Sequence, residues 1–205
     1  MLTFSAYAKI NLTLEVLSER GDGYHEIASV LQAIDLKDVL SFELDDDIRF
    51  VHLERGSHHS ESPDYLVQEA ARRLRGETGC NRGALIRFQR GIPHPSGGLG
   101  GSSSDAATTL LGLNELWELR LPLEELVKLA SGLGSDIAFF LYGGTALVEG
   151  WGEKITPLPS PPKSWVVLVR PPFNIPDKTR RLYQSLSPSH FTGGERTRDL
   201  AELLY

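Results

Sequence analysis

The chain has 205 residues, of which 40% are hydrophobic and 23% charged, a composition typical of one globular domain or slightly more. Its net charge of -6 and its scattered lysines and arginines exclude the concentrated basic surface that nucleic-acid binding requires. No apolar run approaches the ~20 residues that cross a bilayer, no secretory signal is visible, and the single cysteine, Cys80, suits a reducing compartment. We therefore predict a cytoplasmic protein that acts on small molecules, without nucleic-acid or membrane partners and with its oligomeric state open.

The first half of the chain shows short segments with strand patterns. Polar and apolar residues alternate over Ile10–Val16, which predicts a strand with its apolar residues buried and with Lys9 and Asn11 on the polar face. The glycines of Gly21-Asp22-Gly23 then favour a turn. Further strand-type runs occur at Ile27–Ile34, Val39–Leu44, Ile48–Leu53 and Ala84–Phe88.

Helical spacing appears between and after these runs. Apolar residues from Leu66 to Leu74 recur at intervals of three and four, behind Ser62-Pro63-Asp64 as a start signal. A second helix is predicted from about Asp105 and a third over Leu123–Ser131, with Gly132 as its stop. The residues expected on the buried face of the second helix are Ala106, Leu110, Leu113 and Trp117.

The last third of the chain mixes both patterns. Thr145–Val148 and Trp165–Val169 are predicted strands, joined by the proline-rich surface connection Pro157–Pro162. Beyond Ser187 the sequence is polar and loop-like, and it closes with a helical segment, Arg198–Tyr205. Because strands and helices mix without strict alternation, the predicted fold class is α+β.

A glycine- and serine-rich loop opens the second helix. Glycines let backbone amides approach a ligand closely, amides at a helix N-terminus hold phosphate, and serines add hydroxyl donors. The loop lacks the lysine of a Walker A motif and the third glycine of a dinucleotide fingerprint. A flexible linker is the alternative, disfavoured because the loop runs directly into a patterned helix. The candidate polyphosphate-binding residues are Pro93, Pro95, Ser96, Gly97, Gly98, Leu99, Gly100, Gly101, Ser102, Ser103, Ser104 and Asp105.

This loop resembles the ATP-binding motif of the GHMP kinases, in which a proline precedes Gly-Leu-Gly and then serines and alanines. Two departures are visible: Ser102 stands where the family usually has a third glycine, and the stretch before Gly98 is one residue longer, so either Pro93 or Pro95 can be the motif proline. Four other segments resemble the diphosphocytidyl-methylerythritol kinase branch of this superfamily: Ala6–Leu12, Gly21–Glu26, Leu133–Phe140 and Gly150–Glu153.

The resemblance implies a two-lobed GHMP kinase fold with an N-terminal lobe like domain 2 of ribosomal protein S5. Residues 1–156 would form the ATP-binding and catalytic domain, and residues 157–205 the start of an incomplete second lobe. The implied reaction is ATP-dependent phosphorylation of the 2-hydroxyl of a cytidine diphosphate-linked methylerythritol in non-mevalonate isoprenoid precursor synthesis, with Mg²⁺ expected. The alternatives are another GHMP small-molecule kinase and a non-catalytic nucleotide-binding module.

The resemblance also implies a catalytic pair. Asp136 would act as the base, and Lys9 would orient the acceptor hydroxyl and stabilise negative charge during transfer. Without the resemblance, Asp136 is better explained as the cap of a short helix, Ile137–Leu141, and Lys9 as a solvated side chain on a strand face.

The implied substrate-binding residues come from two parts of the chain. Asn11, Tyr24 and His25 belong to the first part, where Tyr24 can stack on a cytosine ring and His25 can bond the edge of the base. Thr179 and Tyr183 keep the family's four-residue spacing in the second part. The metal ligands are unassigned, with Ser104 a candidate contributor, and no histidine or cysteine spacing supports a zinc site.

Overall fold

The computed structural model describes residues 1–53, 65–93, 97–169 and 178–205 of the chain. Strands and helices are mixed without strict alternation, which confirms the predicted α+β class. The elements in chain order are β1 (Leu2–Glu19), β2 (His25–Asp45), β3 (Ile48–His52), α1 (Tyr65–Thr78), β4 (Gly83–Gln89), α2 (Gly101–Leu116), α3 (Leu123–Ala130), α4 (Ile137–Tyr142), β5 (Thr145–Gly150), β6 (Lys154–Leu158), α5 (Lys178–Gln184) and α6 (Glu195–Leu203), with a 3-10 turn at Pro188–His190 before α6.

One sheet organises the described part of the chain, in the strand order β3-β4-β2-β5-β6, and β1 pairs with β2 outside this path. The long strand β2 includes both Ile27–Ile34 and Val39–Leu44, which the sequence predicted as separate runs. One half of β2 pairs with β4 and the other half with β5, and all pairs are antiparallel except β3 with β4. Register shifts in β1 at Tyr7/Ala8, Asn11/Thr13 and Val16/Ser18 mark bulges, which re-aim the side chains of this strand.

Helices α1 to α4 cover one face of the sheet and enclose the main core. The predicted buried faces of α1 and α2 are confirmed, since Val67, Leu74, Leu110 and Leu113 have no exposed surface. These side chains pack with Phe42 and other sheet residues. Complete burial of a large apolar side chain contributes roughly 1.5–3 kcal/mol, so this layer holds the elements around the candidate site in place.

Helix α6 lies against the sheet in a second, smaller cluster with Val30 and Leu158. The buried carboxylate of Glu15 in β1 anchors it, accepting hydrogen bonds from the backbone N–H of Thr197 at 2.7 Å and from the Thr192 hydroxyl at 2.9 Å. The helix begins at Glu195, three residues before the predicted start at Arg198. Helix α2 likewise begins earlier than predicted, at Gly101.

The predicted strand Ile10–Val16 is confirmed, but its predicted buried face is wrong. Leu12 and Leu14 are 41% and 49% exposed, whereas Lys9 and Glu15 are only 7% and 8% exposed. The bulges turn the polar side chains inward. A polar group is tolerated in the interior when it finds hydrogen-bonding partners, and both of these side chains do.

The predicted strand Trp165–Val169 is also wrong for the described part of the chain. These residues form no strand there, and Trp165, Val167 and Val169 are 101%, 86% and 84% exposed. A strand requires a neighbour for its backbone groups, and no strand of the described chain pairs with this segment. The predicted helix start signal Ser62-Pro63-Asp64 lies outside the described residues. No helix in the described ranges has the length and apolar character needed to span a membrane.

Candidate active site

The glycine loop packs against the side chain of Lys9. Gly97, Gly98 and Gly100 have φ angles of 51°, 98° and 72°, in the left-handed region that glycine adopts without strain. A Cβ at Gly100 would lie 2.6 Å from the ring of Phe140 and 3.2 Å from Cγ of Lys9, so a larger residue does not fit. Gly100 is also the residue before α2, and the loop amides therefore lie at the positive end of that helix. Of the predicted loop residues, Pro95 and Ser96 lie outside the described residues.

Both the backbone and the side chain of Lys9 are held by hydrogen bonds. Its backbone N–H donates to the carbonyl of Leu99 at 2.9 Å, which ties β1 to the loop. Its ammonium group donates to Oδ1 of Asn11 at 2.9 Å and lies 3.5 Å from Oδ2 of Asp136. Asn11 is fixed in turn, because its amide nitrogen donates to the Ser29 hydroxyl at 2.8 Å. The structure thus brings Lys9 and Asn11, neighbours on β1, together with Asp136, which is far from both in the sequence.

Asp136 stands immediately before α4, where the sequence suggested a capping role. Its side chain makes no capping hydrogen bond, and its φ and ψ of -79° and -15° are already helical. The carboxylate is 38% exposed and turned toward Lys9. Ile137 and Phe139 of α4 are fully buried, so the short helix that carries Asp136 is anchored in the core. The capping explanation therefore does not account for this aspartate.

Tyr24 stands at the end of the turn between β1 and β2. Arg20 forms ion pairs with Asp22 and Glu26, and the Asp22 carboxylate accepts the backbone N–H of Tyr24 at 3.1 Å. This N–H bond and the neighbouring Arg20 lower the pKa of Asp22, although burial opposes the shift. The turn is thus fixed by its own side chains, while the ring of Tyr24 stays 61% exposed and available to a ligand.

Trp151 lies beside Tyr24 and belongs to a segment that packs next to Asp136. The centroids of the two rings are 5.9 Å apart. The backbone N–H of Trp151 donates to the Glu153 carboxylate at 2.7 Å, and a Cβ at Gly152 would lie 2.9 Å from Cβ of Ser135, which precedes Asp136. The segment Gly150–Glu153 therefore packs beside Asp136 and supports the ring of Tyr24.

His25 lies between two aromatic rings. The ring of Tyr183 in α5 is 5.1 Å away and tilted by 42°, and that of Phe191 is 6.0 Å away, edge on. Burial raises the pKa of the Tyr183 hydroxyl, and the negative charge of Asp136 adds to the effect. Thr179, one helical turn before Tyr183 in α5, is exposed. The predicted acceptor-binding residues thus come from β1 (Asn11), the β1–β2 turn and the start of β2 (Tyr24 and His25) and α5 (Thr179 and Tyr183).

The first turn of α2 separates the predicted loop residues into two groups. Ser102 and Ser103 are half-buried, whereas Ser104 is 1% exposed. Asp105 has no exposed surface and bonds Arg90 in the interior. The sequence predicted Asp105 as one of the phosphate-binding residues. Its side chain is instead buried and bonded to Arg90, so it is not available to a ligand in the loop.

A magnesium ion is compatible with this donor set. Mg²⁺ in kinase sites usually keeps several waters and is held by one or two protein oxygens together with the phosphates. The described ranges contain no group of three or more histidine, cysteine, aspartate or glutamate side chains that could bind a metal without a nucleotide. The hydroxyls of Ser102 and Ser103 are oxygen donors beside the loop, in better reach than buried Ser104.

Several residues of the site were missed by sequence reasoning. Phe191 lacks a pattern that distinguishes it from a core aromatic, and Arg90 has no spacing relation to its partners. Phe140 and Trp151 were part of quoted motifs, but the place of Phe140 against Gly100 and the contact of Trp151 with Tyr24 depend on the packing of separate segments. These contacts join segments that are distant in sequence, and one sequence alone contains no signal for them.

Comparison with known proteins gives evidence on the family of this chain that is independent of the geometry of the site. The family model for the GHMP kinases N terminal domain matches residues 65–144. A 4-diphosphocytidyl-2-C-methyl-D-erythritol kinase of Dehalococcoides mccartyi is 44% identical over 203 residues, which cover 98% of this chain and 70% of the relative. The chain belongs to the 4-diphosphocytidyl-2-C-methyl-D-erythritol kinase family. The enzyme of that name from Geobacillus kaustophilus is 45% identical over 191 residues, covering 90% of this chain and 63% of the relative.

Solved structures agree with this family assignment. A crystal structure of 4-(cytidine 5'-diphospho)-2C-methyl-D-erythritol kinase superposes with a TM-score of 0.79 at 31% identity, covering 99% of this chain and 71% of the other. The Streptococcus pneumoniae phosphomevalonate kinase, at 15% identity and a TM-score of 0.68, shows the shared fold alone. The predicted family and the GHMP kinase-type fold are therefore confirmed, and the chain spans about 70% of the length of its first relatives.

Proposed function

We propose that this chain transfers the γ-phosphoryl group of ATP to the 2-hydroxyl of 4-diphosphocytidyl-2-C-methyl-D-erythritol, a step of non-mevalonate isoprenoid precursor synthesis. The relatives at 44–45% identity are named as kinases of this compound. The observation that carries the proposal is the 3.5 Å contact between Lys9 and Asp136 next to a glycine loop, with Lys9 bonded to that loop through its backbone.

The glycine loop is proposed to bind the triphosphate. Left-handed glycines lead directly into the start of α2, a backbone arrangement in which successive N–H groups can converge on an anion and the helix dipole favours negative charge. Ser102 and Ser103 add hydroxyl donors at the same place. Magnesium, held by these hydroxyls, phosphate oxygens and water, would supply neutralisation of charge on the phosphates when bound.

Lys9 and Asp136 are proposed to carry the transfer step. Phosphoryl transfer depends on positioning and on neutralising the charge of the transferred group, while the acceptor hydroxyl must give up its proton. The Asp136 carboxylate is placed to take that proton, because it makes no capping bond and is partly exposed. The Lys9 side chain is only 8% exposed, and its ammonium group is proposed to act as a largely desolvated positive charge beside the transferred phosphoryl group.

The aromatic residues are proposed to bind the nucleotide part of the acceptor. Tyr24 offers an exposed ring face for the cytosine, and His25 offers a nitrogen for its edge. Tyr183 contacts His25, Asn11 bonds Lys9, and Thr179 adds a hydroxyl near the start of α5, so these three are proposed to bind the rest of the acceptor. This cluster favours a nucleotide-bearing acceptor over a small alcohol such as homoserine or mevalonate.

The domain division and the compartment are also proposals. We assign residues 1–156 to the ATP-binding and catalytic unit and residues 157–205 to the start of a second lobe. Strand β6 continues to Leu158, and Leu158 packs with Val30 and α6, so a boundary just after Leu158 agrees better with the strand pairing. A cytoplasmic location is supported by the single cysteine, Cys80, which has no disulfide partner in the chain.

The experiment is an ADP-release assay of the purified chain with ATP, Mg²⁺ and a panel of acceptors. We expect ADP release that depends on 4-diphosphocytidyl-2-C-methyl-D-erythritol, with homoserine, galactose and mevalonate giving none. Release with one of those alcohols instead would favour another GHMP kinase activity. Tight ATP binding with no acceptor-dependent release, by this chain and by a version extended to the full length of the relatives, would favour a non-catalytic nucleotide-binding module.

A further inference from the structure

Three charged side chains form a buried cluster that the phosphoryl-transfer step does not use. Asp38 and Asp105 have no exposed surface, and the side chain of Arg90 is 15% exposed. Nη1 of Arg90 lies 3.0 Å from Oδ2 of Asp38 and also donates to Oδ2 of Asp105. Charges are costly to bury unless they are paired and hydrogen-bonded, so this cluster depends on all of its members being present.

The cluster also fixes the backbone that follows Arg90. The second oxygen of Asp38 accepts the N–H groups of Gly91 at 2.6 Å and Ile92 at 2.7 Å. A Cβ at Gly91 would lie 2.2 Å from the carbonyl oxygen of Lys37, so the chain can approach β2 this closely only with glycine at that position. The segment 90–92 is therefore fixed against the strand that carries Asp38.

The position of the cluster relates it to the glycine loop. Arg90 follows the last residue of β4, and Pro93, where the loop begins, comes directly after the bonded segment 90–92. Asp105 lies in α2, four residues after the helix begins at Gly101. The guanidinium group of Arg90 thus links the segment before the glycine loop to α2, which follows the loop. Through Asp38 it also links both of them to β2. A glycine-rich loop has few side chains to define its shape, so the positions of its ends matter more.

We propose that Arg90, Asp38 and Asp105 form a loop clasp, a set of positioning residues that fixes the two ends of the glycine loop and thereby sets the affinity for the triphosphate of ATP. The inference rests on the proposed ATP site. The clasp acts on the loop amides through the backbone and does not touch the nucleotide.

Arginine suits this role better than lysine. Its planar guanidinium presents donors in a fixed fork and can bond two carboxylates at once, whereas a lysine ammonium is a compact point charge. Arg90→Lys keeps the positive charge inside the cluster but changes the reach and the shape of the donor group, so we expect the bonds to Asp38 and Asp105 to weaken. Asp105→Asn keeps the size of the side chain and removes its charge.

The test measures nucleotide affinity separately from catalysis. For Arg90→Lys and Asp105→Asn, we expect the Kd of a non-hydrolysable ATP analogue and the KM for ATP to rise about 10- to 100-fold, the range for a misplaced binding element. The KM for the acceptor should stay unchanged, and kcat should fall less than threefold (roughly 0.6 kcal/mol).

A matched control is available on β4, the strand that leads to Arg90. Arg87 of β4 bonds Glu43 of β2 at 2.7 Å, three residues before Arg90, and its side chain is 28% exposed. Arg87→Lys makes the same chemical change in a pair that joins β4 to β2 and includes no residue of the loop or of α2. We expect it to leave the Kd of the ATP analogue within twofold of the wild type.

The possible outcomes distinguish a role of the loop clasp in ATP binding from a general contribution to the stability of the fold. Lower Tm values for Arg90→Lys and Asp105→Asn with an unchanged Kd for the analogue would overturn the inference. Failure of the wild-type chain to bind the analogue would instead count against the proposed ATP site.

A measurement on the wild type covers the case in which both variants fail to fold. Coupling between two sites is reciprocal, so a bound ATP analogue should slow hydrogen exchange at the amides of Gly91 and Ile92 more than at the amides of β6. Equal slowing at both places would overturn the inference.

Discussion

The two sides of the site are built differently. On the phosphate side, Gly100, which has no room for a Cβ, packs against Phe140 and against Lys9, whose side chain is 8% exposed, at the start of α2. On the acceptor side, Tyr24 comes from a turn and Tyr183 from a short helix, and their rings contact Trp151 and His25. The phosphate side is thus shaped by packing before any ligand arrives, whereas the acceptor side depends on the ligand to complete its contacts.

The difference makes the two sides separable by mutation. A change on the phosphate side should disturb the catalytic pair and the ATP site together, because they share contacts. A change on the acceptor side should weaken acceptor binding and leave ATP binding intact.

The largest expected effect on the phosphate side comes from Gly100→Ala. The new Cβ would lie 2.6 Å from Phe140 and 3.2 Å from Lys9, at a φ of 72° that favours glycine. Because it shifts both the loop and the lysine, we expect kcat/KM for ATP to fall about 100-fold or more. Steady-state kinetics with ATP varied at saturating acceptor measure this fall.

Gly79→Ala is the control for backbone strain. Gly79 has a similar φ of 64°, but a Cβ there would have nothing within 4 Å. We expect a small loss of stability, about 1–2 kcal/mol, and no change in kcat/KM. If both alanine variants lost activity equally, strain and not the close contact at Gly100 would be the cause.

On the acceptor side, Tyr24→Ala should produce a smaller and more selective effect. Stacking of a base on an aromatic ring contributes about 1–3 kcal/mol, so the KM for the acceptor should rise roughly 5- to 150-fold. The KM for ATP should not change. Tyr24→Phe keeps the ring and should retain nearly all acceptor affinity. An equal rise of both KM values in Tyr24→Ala would contradict the separation of the two sides.

The smallest expected effect concerns Glu15, which anchors α6 through Thr192 and Thr197. Burial acts to raise the pKa of the Glu15 carboxyl, but hydrogen bonds from Thr197 and Thr192 outweigh it and hold the pKa below its usual value of 4.5. As the pH falls, the unfolded chain therefore takes up this proton first. The stability contributed by Glu15 is present above pH 4.5 and is lost as the pH falls through the lower, folded value.

Thermal unfolding of Glu15→Gln against the wild type measures this contribution. We expect the wild type to have the higher Tm at pH 7, and the difference to shrink as the pH falls below about 4.5. Glu19→Gln, at the exposed end of the same strand, should show no such trend. A difference in Tm that stays constant down to pH 3 would rule out the ionised carboxylate as the anchor.

The parts of the molecule that the sequence predicted correctly are those with local signals. Helices α1 and α2 bury the residues that their three- and four-residue spacing indicates, and the glycine loop precedes α2 as expected. The family motifs pointed to Lys9 and Asp136, and the structure places these two side chains in contact. Local pattern was sufficient there, because the apolar face of a helix is decided by spacing alone.

The parts that could not be predicted depend on distant partners. The buried face of β1 was misjudged because its bulges and the partners of Lys9 and Glu15 are invisible in an alternation pattern. Trp165–Val169 has the residue types of a strand but no paired neighbour in the described ranges. The inward position of Asp105 follows from Arg90, fifteen residues earlier in the chain.

The most direct test of the account is a comparison of Asp136→Asn with the wild type, using turnover and ATP-analogue affinity together. We expect turnover to fall about 10²- to 10⁴-fold, the contribution of a positioned general base, while the Kd of the analogue stays within about threefold. Asp35→Asn, which alters an aspartate that is 89% exposed, serves as the control and should change neither quantity. Unchanged turnover in Asp136→Asn would contradict the claim that this carboxylate takes the proton of the acceptor hydroxyl.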